Sequence, residues 1–274
     1  MITIVMNQDK KCEAAVARMA RGLTERGRPF KTVGRFPFER EDREAIRAAE
    51  ILVIVGGDGT ALSTLSQLEN LSRPVLPVNF GTLSFINTVH DEEVLALLDG
   101  YASGNPEAFV LDERPVLALS ARGQTLYAFN EAAFKAREMG RLMTLSTRIQ
   151  GHPLPDFRGD GIMVATPTGS TAYNLAAGGP ILHPATSALI LNPICPHSLT
   201  VKPIVIPAHH DIEIACRPRN AGEGAVLLVD GNLRLALEDG ETVVCRLAKE
   251  KLKLLKPAKE CYYDILRVKM KWGM

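Results

Sequence analysis

Five consecutive apolar residues, Ile51 to Val55, run directly into Gly56-Gly57-Asp58-Gly59-Thr60, and a helical pattern follows from Thr60 to Leu68. An apolar run without polar alternation is what a parallel strand covered on both faces requires. The surrounding segments repeat the theme. Ile2 to Met6 reads as a strand, and apolar positions at Ala15, Val16, Met19, Ala20 and Leu23 mark an amphipathic helix ending near Gly27. Pro74 to Val78 reads as another strand and His90 to Leu98 as another helix. This alternation predicts an open, Rossmann-like α/β sheet.

Near Gly100 the pattern changes. Short β-rich stretches at Val116–Leu119, Thr125–Phe129, Ile162–Ala165, Val201–Ile206, Ile212–Cys216, Ala225–Val229 and Thr242–Arg246 are separated by Gly, Pro, Asn and Asp clusters. That spacing predicts a mostly antiparallel, all-β second domain resembling a sandwich. The 274 residues allow two ordinary domains. The expected division is an α/β domain over 1–100, completed by the tail 256–274, and a mostly-β domain over 101–255. Lys249 to Leu255 shows no clean period, and Cys261 to Trp272 reads as a basic-faced helix returning to the first domain.

Composition narrows the partners. Lys and Arg number 32 against 31 Asp and Glu, so no basic block is available to neutralise a nucleic-acid backbone. With 46% hydrophobic and 23% charged residues the chain lies far from the disordered regime. The five cysteines are widely spaced with no CxxC pair, which disfavours a disulfide framework or zinc knuckle. His209-His210, His183, His152 and His197 do not form a metal-spaced set. The N-terminus lacks a basic leader, and no segment approaches the roughly 18 apolar residues of a membrane span. A reducing, cytoplasmic setting without membrane or nucleic-acid partners is expected.

Two loops carry the chemistry. In Gly56-Gly57-Asp58-Gly59-Thr60 the glycines let main-chain amides approach a phosphate, and the following helix N-terminus adds donors. The loop is neither GxGxxG nor a Walker loop, because the lysine that would follow is absent and an acid stands in the middle. A carboxylate among phosphate-binding amides either accepts a proton from an attacking hydroxyl or helps to hold a divalent metal. The plain structural alternative is a tight turn with Asp58 as a helix cap. The second loop runs from Asp160 to Pro180 through Thr166-Pro167-Thr168-Gly169-Ser170-Thr171-Ala172-Tyr173. Its hydroxyls, exposed amides and one aromatic suit a nucleoside's base edge and ribose. The alternative there is a polar connection with Tyr173 packed on the surface.

Together these loops and Asn130-Glu131 resemble the NAD kinase family, within the wider superfamily of phosphofructokinases and diacylglycerol-type lipid kinases. Further likeness comes from His197 to Pro207 and from Asp230-Gly231-Asn232. The resemblance implies transfer of a terminal phosphoryl group, from ATP or another phosphate donor with Mg²⁺, to the 2′-hydroxyl of the adenosine ribose of NAD. It implies that Asp58 is the base and that Gly56, Gly57, Gly59 and Thr60 hold phosphate, with Asp58 and Gly59 also touching NAD. Asn130, Thr168, Thr171, Ala172 and Tyr173 match positions around the adenine and its ribose, with Asn174, Leu175 and Ala176 continuing that loop. Glu131 matches a position that accepts from ribose hydroxyls, and Asp160 one that reaches a neighbouring subunit's nicotinamide amide, which implies a homodimer or homotetramer. Arg141, Arg158 and Asn232 fall at further dinucleotide contacts. Their bland alternatives are solvated arginines and a hairpin turn at Asp230-Gly231-Asn232. Departures at Ser63, Ser84, Ala176 and Lys202 bear on affinity and donor preference more than on reaction type. Two other functions remain in play: a dinucleotide sensor without turnover, and a lipid or sugar kinase sharing the glycine loop.

Overall fold

The structure is a computed structural model that describes residues 1–7, 10–34, 37–68, 71, 73–80, 85–138, 142–218 and 224–271. Two compact units emerge, Met1–Arg114 with Lys251–Met274, and Pro115–Glu250. The first begins with β1 (Ile2–Met6), α1 (Lys10–Glu25), β2 (Phe30–Val33), α2 (Arg40–Ala48) and β3 (Ile51–Gly56). It continues with α3 (Asp58–Leu65), β4 (Pro74–Asn79), α4 (Val94–Ser103) and β5 (Phe109–Arg114). The second holds β6 (Leu117–Ala121), β7 (Gln124–Ala128), β8 (Glu131–Ala136), β9 (Met143–Ile149), β10 (His152–Pro153), β11 (Phe157–Gly159) and β12 (Gly161–Ala165). After α5 (Tyr173–Ala176) come β13 (Ala188–Ile194), β14 (Ile204–Pro207), β15 (Ile212–Pro218), β16 (Ala225–Val229), β17 (Asn232–Leu237) and β18 (Thr242–Leu247). The chain then returns to the first unit as β19 (Leu252–Pro257) and α6 (Tyr262–Met270).

The first unit is the expected α/β sheet, ordered β2-β1-β3-β4-β19-β5. Strands β2, β1, β3 and β4 run parallel. Leu52 to Val55 are fully buried, as an apolar run covered on both faces must be. Helix α1 buries Cys12, Ala15, Val16, Met19 and Leu23 against Ile2, Ile4, Val53 and Val55, and α4 adds Val94, Leu97 and Leu98 to the same cluster. The spacing of those α1 residues places them on one helical face.

The stretch from Lys249 to Leu255 lacks a period because it leads into a strand buried in the sheet. β19 pairs parallel with β4 and antiparallel with β5, and Leu252, Leu254, Leu255 and Lys256 are all buried. Lys256 is tolerated inside because its ammonium lies 2.6 Å from Glu260 and 3.4 Å from Asp112. Arg114 contacts Asp112 at 2.6 Å. Burial would raise the Asp112 carboxyl, but these two cations hold it below its ordinary range. Pairing with β19 keeps β5 in the first unit, so that unit runs past residue 100 to Arg114.

The second unit is antiparallel throughout. One sheet is ordered β10-β9-β15-β18-β6-β7 with β11 beside β9, and the other β14-β13-β12-β8-β16-β17. Phe134, Ile162, Val164, Leu189 and Leu191 from one sheet and Leu117, Leu119, Leu145, Ile212, Ile214 and Val243 from the other share a single core, as in a sandwich. Ala133 and Met163 point the other way, and Tyr173 and Ala177 pack over them. Among the described residues no helix is long and apolar enough to cross a membrane.

Candidate active site

In the first unit β3 ends at Gly56 and α3 begins at Asp58, with Gly57 as the N-cap and no side-chain cap hydrogen bond. Asp58 is therefore a first-turn residue and not the cap. Its carboxylate lies 3.7 Å from the Lys269 ammonium on α6. A Cβ on Gly56 would stand 2.8 Å from Thr60 Oγ1, whereas no described atom lies within 4 Å of one on Gly57 or Gly59. The main chain at those two glycines is thus open to an anion, beside the first turn of a helix whose leading N–H groups point outward. The loop is held from behind by Asn87, fully buried, whose Nδ2 donates to the Gly56 carbonyl at 2.7 Å. Ser63 donates back to the Thr60 carbonyl at 3.1 Å.

In the second unit three segments meet at one end of adjacent strands. Glu131 opens β8 opposite Ala165 at the close of β12, and Val229 at the close of β16 lies opposite Ala132. The Asp230-Gly231 turn has φ of +48° and +75°, the left-handed pair a two-residue hairpin needs. Asp230 does more than turn the chain. Its carboxylate accepts the N–H groups of Phe129 at 2.8 Å, Asn130 at 2.7 Å and Glu131 at 3.1 Å. Thr166 grips the same segment from the other side. Its hydroxyl donates to the Phe129 carbonyl at 2.7 Å and its N–H to the Asn130 carbonyl at 2.9 Å. A Cβ on Gly169 would overlap that Asn130 carbonyl, so only glycine lets the loop pass.

The sequence-predicted residues are placed as follows. Asn130, Glu131 and Thr168 are buried beside one another's segments, with Thr171, Ala172, Tyr173 and Leu175 half-buried and Ala176 exposed. Lys135 Nζ donates to the Tyr173 hydroxyl at 3.4 Å. Asn174 is fully buried, and its amide donates to the Ser170 and Pro180 carbonyls at 3.0 Å each. That side chain is scaffolding for the loop. Asp160 precedes β12 while Thr166 follows it, so at about 3.3 Å per residue Asp160 lies about 17 Å from Ala165, which faces Glu131; Arg158 lies on β11, which pairs with β9 in the other sheet. Asn232 is exposed and donates to the Asp230 carbonyl at 3.1 Å within the hairpin. Arg141, Ser84 and Trp272 lie outside the described residues. Asn87 and Lys269 carry no site signal in the sequence; Thr166 lies in the second loop and Asp230 in the Asp230-Gly231-Asn232 likeness, but the sequence gives neither its role of holding Phe129 to Glu131.

Glu131 and Asp230 are a buried acidic pair. Burial, helped by the Asp230 charge, pushes the Glu131 carboxyl up to about 8. Burial also raises Asp230, while the three backbone N–H groups and Arg234 pull it back. Glu131 Oε2 is buried with no hydrogen-bond partner among the described residues. Between the ordinary glutamate range and about 8, native Glu131 keeps a proton that the unfolded chain releases, so stability falls as pH rises through that window. Glu131→Gln, neutral at every pH, should flatten this fall. Melting temperatures at pH 5, 7 and 9 check it, and a variant with the wild-type slope would contradict the assignment.

The chain thus carries a glycine-loop α/β unit and an all-β unit with a polar loop at one strand end. Models of the ATP-NAD kinase N-terminal and C-terminal domains match residues 2–105 and 129–257. The NAD kinase of Koribacter versatilis is 39% identical over 229 residues, covering 82% of this chain and 78% of that protein. That of Solibacter usitatus is 34% identical over 238 residues, covering 84% and 80%. The chain belongs to the NAD kinase family. Its fold is shared with yeast NADH kinase, solved with NADH, at a TM-score of 0.84 and 21% identity over 100% of this chain and 88% of that one. An NAD kinase from Archaeoglobus fulgidus, solved with ATP, matches at 0.78 and 23% identity over 99% of both chains.

Proposed function

We propose that the protein transfers the terminal phosphoryl group of ATP to the 2′-hydroxyl of the adenosine ribose of NAD, releasing ADP and NADP. The observation that carries this reading is an acid, Asp58, set in the first turn of a helix between two open glycines, in a chain of this family. The first unit takes the donor: the amides around Gly56, Gly57, Gly59 and Thr60 receive phosphate oxygens. The second takes the dinucleotide: Asn130, Thr168, Thr171, Ala172, Tyr173, Leu175 and Ala176 receive the adenosine half, and Glu131 the ribose hydroxyls. Asp230, Thr166 and Asn174 hold those groups in place. Asp160, at the far end of β12, serves a neighbouring copy's dinucleotide in a homo-oligomer, and Arg158 on β11 makes a further dinucleotide contact.

As the new O–P bond forms at the 2′ oxygen and the bond to the departing ADP breaks, the hydroxyl proton passes to an Asp58 carboxylate oxygen. A loose transition state leaves the protein chiefly to align the reactants and balance charge. Asp58 is the one acid in the glycine loop, and among the described residues no group of three or more His, Cys, Asp or Glu could hold a metal. That donor set fits Mg²⁺ arriving on the donor's phosphates, since this ion commonly takes one or two protein carboxylates. Bound there, it would neutralise phosphate charge.

Purified protein supplied with Mg²⁺, ATP and NAD should accumulate NADP, read by an NADP-specific dehydrogenase, with NADH tested in parallel. Dinucleotide binding without product under varied donors and metals would favour a sensor. Phosphorylation of a lipid or sugar instead would reassign the acceptor.

A further inference from the structure

The glycine loop lacks the lysine that commonly follows such loops and carries an acid instead, so an incoming polyphosphate would meet a negative charge among the amides meant to receive it. The structure supplies a cation from the opposite end of the chain. Lys269 Nζ lies 3.7 Å from Asp58 Oδ2, too far for a hydrogen bond and close enough for charge attraction. Both side chains stay open to a ligand, with 29% of the lysine and 36% of the aspartate exposed.

The position of this ammonium is fixed by packing. It stands 4.3 Å from the centre of the Phe85 ring, a cation–π distance. Phe85 is 8% exposed, and its ring centre lies 6.4 Å from that of Tyr262 at the start of the same helix. Ile265 of α6 is buried at 9%, and β19, immediately upstream, is locked between β4 and β5. Lys269 also lies in the last turn of α6, where the helix dipole favours a cation. A mobile surface lysine would have none of these restraints.

We infer that Lys269 is a donor-phosphate-binding residue: the C-terminal helix returns to the first unit to deliver, beside Asp58, the positive charge that the glycine loop itself omits. With no donor bound the ammonium neutralises the Asp58 carboxylate. With a donor bound its three N–H groups face the terminal phosphate, whose charge is the larger. The inference rests on the phosphotransferase reading above for its substrate and on the geometry alone for its cation.

Lys269→Met keeps the aliphatic stem that packs on Phe85 and removes the charge, and Lys269→Arg keeps the charge. In the full chain, kcat/KM for ATP at saturating NAD should fall by about 10²-fold in Lys269→Met, the loss typical of a donor to a developing anionic centre. Lys269→Arg should recover most of it. NAD affinity and melting temperature should hold in both. A lysine that only braces α6 would lower the melting temperature and leave KM for ATP unchanged. Wild-type kinetics in Lys269→Met, or no recovery in Lys269→Arg, would overturn the inference. ATP affinity by calorimetry requires no turnover. Weaker ATP binding in Lys269→Met alongside a wild type that makes no NADP would therefore reject the proposed reaction and keep the lysine's role; unchanged ATP binding with active wild type would do the reverse.

Discussion

Asp58→Asn is expected to cut NADP formation by about 10²–10⁴-fold, the range a positioned general base contributes, while NAD affinity changes little. The carboxamide matches the carboxylate in size and still accepts a hydrogen bond from the ribose hydroxyl, so alignment survives. What it lacks is the capacity to take the proton as the O–P bond forms. The substitution is also structurally mild. Gly57, not Asp58, caps α3, and no side-chain cap hydrogen bond is lost. The ion pair with Lys269 is partly exposed on both sides and is worth at most about 1 kcal/mol. Steady-state kinetics with calorimetric NAD binding check the prediction. Near-normal turnover would remove Asp58 from the chemistry, and loss of NAD binding of the same size would make it a binding residue only.

The second large effect is expected at Asp230→Ala. Three N–H donors, those of Phe129, Asn130 and Glu131, lose their acceptor in the interior, and each orphaned buried group costs about 1–3 kcal/mol. The position also has φ of +48°, which an alanine adopts at a further cost of about 1–2 kcal/mol and an asparagine tolerates better. Partial rehydration of the loop keeps these from adding fully. A net loss of about 3–5 kcal/mol in urea unfolding is expected for alanine, less for Asp230→Asn. Because the same amides fix Asn130 and Glu131, NAD affinity should fall by more than tenfold even where the fold persists. Wild-type stability and affinity in the alanine variant would show that Asp230 only turns the chain.

These expectations also mark where sequence reading reached and where it stopped. Ile51 to Gly59 was legible because a strand buried on both faces must be apolar throughout, and because a glycine cluster at its end has few other uses. The antiparallel second unit was legible from short strands between turn residues. β19 was not, since Lys256 interrupts the apolar pattern and is stabilised inside by Glu260 and Asp112, one of them far away in the chain. α2 was equally hidden: of REDREAIRA only Ala45 and Ile46 are buried, too few to set a period. In the candidate site, residue type singles out Asp58 and the Thr168–Tyr173 loop as candidates, but partnership does not show. Asp230-Gly231-Asn232 is an ordinary hairpin sequence, and nothing local announces that its carboxylate secures a segment about a hundred residues earlier. Lys269 near Asp58 is likewise a product of tertiary return. Asn174 sits within a ligand-type loop yet turns inward to hold it together.

The proposed reaction phosphorylates one particular oxygen, and ³¹P NMR of the product made from NAD and ATP by the wild-type protein reads that oxygen directly. A new phosphomonoester signal coupled to the 2′ proton of the adenosine ribose is expected, formed in step with ADP. A phosphate appearing on any other hydroxyl, or ADP formed with inorganic phosphate while NAD stays intact, would contradict it.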